Sequence, residues 1–308
     1  MEISLLLMAQ IGKMFLMMLM GLAVVRAGVL TAKDSKILSV VTLYVIMPCM
    51  IIDSFQVDFT PEKLRGLGVA MVCAVAMHLI YIALSAILGK TIGLDAVEKA
   101  SAAYGNGGNL IIPLVSAVFG REWVFYTSAF ITVQTVLLWT HCRMMLCGRR
   151  EFNAGDILKN INVVAIAIGC VLFASGLRFP SLIGDTISTV GGTIGVVSMI
   201  VTGMLLGGSS LGKVRSYRRV PLICLLRLIL YPAVMLVIYR FTPLKDMAAD
   251  GETILLVSFL AAAAPTASSV TQLAQVYGGD SEYAGVINMV STLLCIVTLP
   301  LMVLLYQI

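Results

Sequence analysis

The sequence predicts an all-α polytopic membrane protein: ten transmembrane helices in a 5+5 inverted repeat, with two crossing broken helices, the fourth and the ninth. Three observations carry that expectation. Of 308 residues, 59% are hydrophobic and 12% charged, with mean hydropathy +1.00, more apolar surface than a water-soluble domain hides. The apolar runs continue for roughly 20 residues, the length of a helix crossing a ~30 Å hydrocarbon core, and do not alternate as barrel strands do. Two of the runs are interrupted by Gly, Asn, Pro and hydroxyl residues at matching places in the two halves, which points to discontinuous helices buried in protein or lining a watery cavity.

In chain order, spans are predicted at Leu5–Val25, Ile37–Phe55, Leu67–Leu88, Ala100–Val118 and Val124–Leu146, and then at Ile161–Ser175, Ile187–Leu206, Val220–Tyr239, Thr253–Ala274 and Tyr283–Tyr306. The fourth contains Tyr104-Gly105-Asn106-Gly107-Gly108-Asn109 ahead of Pro113, the ninth Ala264-Pro265-Thr266-Ala267-Ser268-Ser269. A proline inside a helix removes a donor and clashes with the preceding turn, so each proline is expected to mark its break. Pro113 stands closer to the following Gly120 than Pro265 does to Gly278, which predicts a longer arm beyond the second break. Five spans per half invert the second half relative to the first, giving units at residues 1–155 and 156–308.

Orientation follows from Lys and Arg. Loops on one side carry thirteen, including Arg149, Arg150, Lys213 and Arg215; the opposite loops carry six. Both termini are therefore expected outside the cytoplasm, in a multi-pass protein of the plasma or inner membrane. The net charge of +5 is read as this topology signal, so nucleic acid is not an expected partner.

Two half-helix N-termini meeting near the bilayer centre would offer unpaired N–H groups and partial positive charge to an anion. Asn106 and Asn109, three residues apart, share a helical face; Gly107 and Gly108 allow close backbone approach; Thr266, Ser268, Ser269 and Gln272 can complete a cavity. For Gly105, Ala262 and Ala263 close helix packing is the better reading. Intramembrane ionisable groups are few. His78 is read as simply hydrogen-bonded or as a proton-coupling group, Arg227 as a partner of carbonyls or an attractor of anions, Lys13 as snorkelling, Asp53 as solvated at the rim. Asn288, Ser291 and Thr292, with Gln134 and Thr135, are expected to support the crossing. His141, Cys142 and Cys147 lack a fourth ligand, so no metal site is expected, and neither His78 nor His141 belongs to a zinc-binding pair, so no hydrolase. The expected activity is transport, with no cofactor beyond H⁺ or Na⁺ as a coupling ion.

Asn106-Gly107-Gly108 with Ile112-Pro113, then Ala264-Pro265-Thr266, then Gln272 through Asp280 with Ser291-Thr292-Leu293-Leu294, resemble the auxin efflux carrier family, bacterial relatives of the plant PIN exporters, over nearly the whole chain. Val45-Ile46-Met47-Pro48 and Met204-Leu205-Leu206-Gly207 are similar too. The resemblance implies that the first two helices of each half form a scaffold and the other three a transport domain. It also implies that the residue matching Asn106 contacts a substrate carboxylate, and that homodimers form through the scaffold. Substrates of the malate, malonate or auxin-like class follow from it. A sodium-coupled organic-anion symporter of related fold, using oxygens of Asn109, Gln272, Gln275 and Asn288, and a non-transporting ligand sensor are the alternatives.

Overall fold

The computed structural model describes residues 2–148, 155, 159–208, 217–277 and 279–308. Arg149, Arg150, Lys213 and Arg215, which bear on orientation, lie outside the described residues, as does the side chain of Gln275. Within the described residues the chain is helical with no named strand: α1 Glu2–Arg26, α2 Ala32–Ser54, α3 Pro61–Thr91, α4 Ala96–Ala103, α5 Gly107–Val118, α6 Arg121–Cys147, α7 Ile161–Ser175, α8 Ser181–Gly208, α9 Val220–Phe241, α10 Gly251–Ala262, α11 Ser268–Tyr277 and α12 Ser281–Gln307. Six of them, α2, α3, α6, α8, α9 and α12, are long and apolar enough to cross a membrane. Helix α3 begins at Pro61 and α8 at Ser181, each well before the predicted start, because Thr60 caps α3 by accepting from the Lys63 N–H (3.2 Å) and Pro180 immediately precedes α8.

The helices pack in two groups. In one, α1 lies along α8, while α7 and the start of α8 flank the end of α2. The α1–α8 contact is backbone to backbone: a Cβ at Gly203 would strike the Met18 carbonyl, and one at Gly207 would sit 2.8 Å from Val25 Cβ. In the other, α3 packs on α4, α6 and α10, and α12 packs on α4, α9 and α11. Glu98 anchors this second group. Its carboxylate caps α4, pairs with Arg219 Nε at 3.2 Å and accepts from the Tyr283 hydroxyl at 2.9 Å.

Pro113 does not break its helix. It follows a wide turn, Gly107–Ile111, in which the Ile112 N–H reaches the Gly107 carbonyl five residues back. Pro48 and Pro232 follow the same kind of turn at Thr42–Ile46 and Leu226–Leu230. In all three the carbonyl four residues before the proline lies mid-turn, where the widened coil clears the ring. The actual interruption comes earlier, at Tyr104-Gly105-Asn106. The expectation of a longer second arm is corrected with it, since the ten residues of α11 are fewer than those of α5.

Candidate functional site

Helix α4 stops at Ala103 and α10 at Ala262, and the extended residues beyond each end pair with one another. The Asn106 N–H donates to the Pro265 carbonyl (2.7 Å), the Ala267 N–H donates to the Tyr104 carbonyl (2.9 Å), and Gly105 and Thr266 form an antiparallel bridge. Each break thus satisfies backbone groups that hydrocarbon would leave bare. Thr266 is fixed on every side. Its hydroxyl donates to the Ser101 carbonyl (3.0 Å), its N–H to Ser291 Oγ (3.2 Å), and its carbonyl accepts from Asn288 Nδ2 (2.6 Å).

The carbonyls released at the two helix ends meet one cation. Arg227, wholly buried in the wide turn of α9, donates from Nε to the Ala264 carbonyl (2.7 Å) and from Nη1 to those of Ala102 (3.3 Å) and Ala103 (3.4 Å). Its guanidinium lies 5.2 Å from the centre of the Tyr81 ring, whose hydroxyl donates to the Ala262 carbonyl (3.1 Å). A positive charge at two helix C-termini is the favourable polarity. Gly105 is required by the same contact, because a Cβ there would run into Arg227 Nη2.

Beside the crossing lies a cavity of about 140 Å³, lined by residues of α2, α6, α7, α8 and α12 and by both breaks. At 10–15 Å³ for one water-sized position it has room for about ten. The first residues of α5 and α11 both open onto it: Asn106, Gly108 and Asn109 from one, Ser268, Ser269 and Gln272 from the other. Asn109 Nδ2 donates to Ser268 Oγ (3.1 Å), tying the half-helices together. Among the described residues no Asp, Glu, Lys, Arg or His lines the cavity, and no aromatic ring does.

Of the residues singled out from sequence, the structure brings Asn106, Gly108, Asn109, Ser268, Ser269, Gln272 and Asn288 together around this space. Gly107 faces Phe130, Pro113 packs against Gly195 of α8, and Pro265 and Thr266 lie within the crossing. His78 is buried and bonds the Ala74 carbonyl through Nδ1 (2.7 Å). Neither it nor Arg227 lines the cavity; Arg227 is a partner of carbonyls, with Nη2 left against Gly105 of the cavity wall. Asp53 is partly exposed and lies 3.7 Å from the half-exposed Arg121, which also donates to Ser188. No cluster of three or more metal-ligating side chains occurs among the described residues.

Sequence reasoning missed the polar residues of the opposite walls: Ser39 and Thr42 on α2, Asn162 on α7, Ser198 and Thr202 on α8. Hydroxyls three or four residues apart in otherwise apolar runs were the available signal.

A buried crossing of two interrupted helices beside a polar cavity, in a helical protein with membrane-length spans, defines a membrane transport protein. Residues 6–155, and again residues 152–303, match the model of the family described as Membrane transport protein, that of the auxin efflux carriers, and the chain belongs to this family. No curated protein matches the chain.

Proposed function

We propose that the protein is a secondary carrier of small organic anions, carboxylates such as malate, malonate or auxin-like acids, working by alternating access. The observation that carries this reading is that α5 and α11 both begin at one cavity where no charged side chain among the described residues lines the wall, with Asn106 between them. Each helix N-terminus favours an anion by up to about 2 kcal/mol when partly buried. An amide donating to a carboxylate adds about 1.5–3 kcal/mol. Such a site holds the ion and still lets it go.

On this reading the chain makes ten spans, with inverted units at 1–155 and 156–308. Helices α1, α2, α7 and α8 form the scaffold, α3–α6 and α9–α12 the moving body; the two packing groups and the twofold family match support that division. The cavity reaches Asn162 at the start of α7, the end of that helix that follows the 148–160 connection. Arg121, on the moving body, meets Asp53 and Ser188 of the scaffold at the other end. With the 148–160 connection cytoplasmic and both termini outside, this state faces inward. Homodimers would form through the scaffold, where α2, α7 and α8 expose large apolar side chains in the single chain.

Coupling to sodium is the less favoured reading. The carbonyls that unwound helices in sodium-coupled carriers offer to the ion are here engaged by Arg227, a cation that never leaves. Uptake of labelled malonate and malate into proteoliposomes tests the proposal. Asn106→Ala should abolish flux while the protein still inserts and unfolds at its usual temperature; normal flux removes the site assignment. Saturable binding without any flux would leave a sensor.

A further inference from the structure

Two polar side chains around the cavity are buried, and one atom of each has no hydrogen-bond partner: Asn162 Oδ1 and Ser198 Oγ, in residues 6% and 3% exposed. They come from two helices, α7 and α8, neither of which contributes to the crossing. A buried polar atom left unpaired is costly, and a pair of them on the wall of a cavity is the mark of a ligand's place. Nearby hydroxyls have already spent their protons on their own helices. Thr202 donates to the Ser198 carbonyl (2.9 Å) and Thr42 to that of Leu38 (2.8 Å), so both present acceptor lone pairs to the space.

We infer that Asn162 and Ser198 form a second polar pole that receives an uncharged hydrogen-bonding group at the far end of a short anion whose carboxylate sits at the crossing. This deepens the carboxylate-carrier reading and rests on it. The favoured group is a hydroxyl or a protonated carboxyl. Among the described residues no cation stands at this pole to neutralise a second carboxylate, while the amide end of Asn162 can accept or donate. With no aromatic ring among the described residues that line the cavity, a flat aromatic acid finds no stacking partner there and would strand the polar atoms. The substrate class is therefore the short hydroxy acid or the monoanion of a short diacid.

The test is binding to the purified full chain of two matched pairs, 3-hydroxypropionate against propionate and 4-hydroxybutyrate against butyrate, read by titration calorimetry. The expected result is that the hydroxylated member of at least one pair binds roughly ten- to a hundredfold more tightly. Asn162→Leu should bring that ratio toward one by weakening the hydroxy acid more than its partner. Ser198→Ala, a smaller change, should lower the ratio also and serves if the leucine variant fails to fold. Equal binding within both pairs, with Asn106→Ala abolishing all four, overturns the polar pole and leaves the carboxylate site standing. A preference that survives both wall substitutions overturns it too. If none of the four acids binds, the carboxylate reading fails and the second pole falls with it.

Discussion

Arg227→Met keeps the length of the side chain and removes the guanidinium that closes the carbonyls of Ala102, Ala103 and Ala264. A bond from a charged donor is worth about 1.5–3 kcal/mol. The Nε bond at 2.7 Å counts in full, and the two Nη1 contacts at 3.3 and 3.4 Å together count for about one more. Against this gross loss of about 3–6 kcal/mol stands the recovered cost of burying a charge, some of which persists as stranded carbonyls. A net loss of about 2–4 kcal/mol is expected. At about 2–4 °C per kcal/mol for larger domains, the unfolding midpoint should fall by about 4–16 °C. A thiol-reactive dye reads it directly, because Cys73, Cys142, Cys224 and Cys295 are free and buried. Sodium supplies the second arm. The wild type should unfold at the same temperature in sodium and in potassium, whereas Arg227→Ala, which empties the space among the carbonyls, should regain stability selectively in sodium. A methionine variant as stable as the wild type, or a wild type stabilised by sodium, would refute the claim that this arginine stands where a coupling ion would.

Gly203→Val should lower stability by about 1–3 kcal/mol, since its side chain meets the Met18 backbone, which cannot retreat. Gly12→Ala on α1, with open space around it, is the control and should be neutral or slightly stabilising in the same melt. Arg121→Ala removes a half-exposed contact worth up to about 1 kcal/mol. It should therefore raise labelling of Cys49, one turn from Asp53, by a membrane-impermeant thiol reagent up to about fivefold. Unchanged labelling would show that the contact does not hold that end closed.

Most helices were legible because uninterrupted apolar length is a coarse, strong signal, and Ile161–Ser175 falls where the sequence places it. The first break was misjudged for a local reason. Pro113 was given the role of helix breaker, yet a wide turn ahead of it absorbs the ring, and the same device serves Pro48 and Pro232. The carbonyls that Arg227 closes were not legible, because they lie 124 and 125 residues away on one side and 37 on the other. Nor could a single sequence show that Asn162 and Ser198 turn toward the same space as Asn106. That convergence depends on how two packed groups of helices face each other, which no periodicity within one helix records. The partner of Asp53 was hidden similarly, since Arg121 arrives from a different helix.

The paired backbone at the crossing also bears on how the chain is made. Residues whose backbones pair there, such as Asn106 and Pro265, are separated by 159 positions in the chain. At 5–20 residues per second the ribosome takes roughly 8–30 s to deliver the second partner after the first. During that interval the extended residues beyond α4 exist and their backbone partners beyond α10 do not. The first break therefore stays without its backbone partners until the residues of the second have been made, and synthesis of the segment leading into α11 is what lets the seam close.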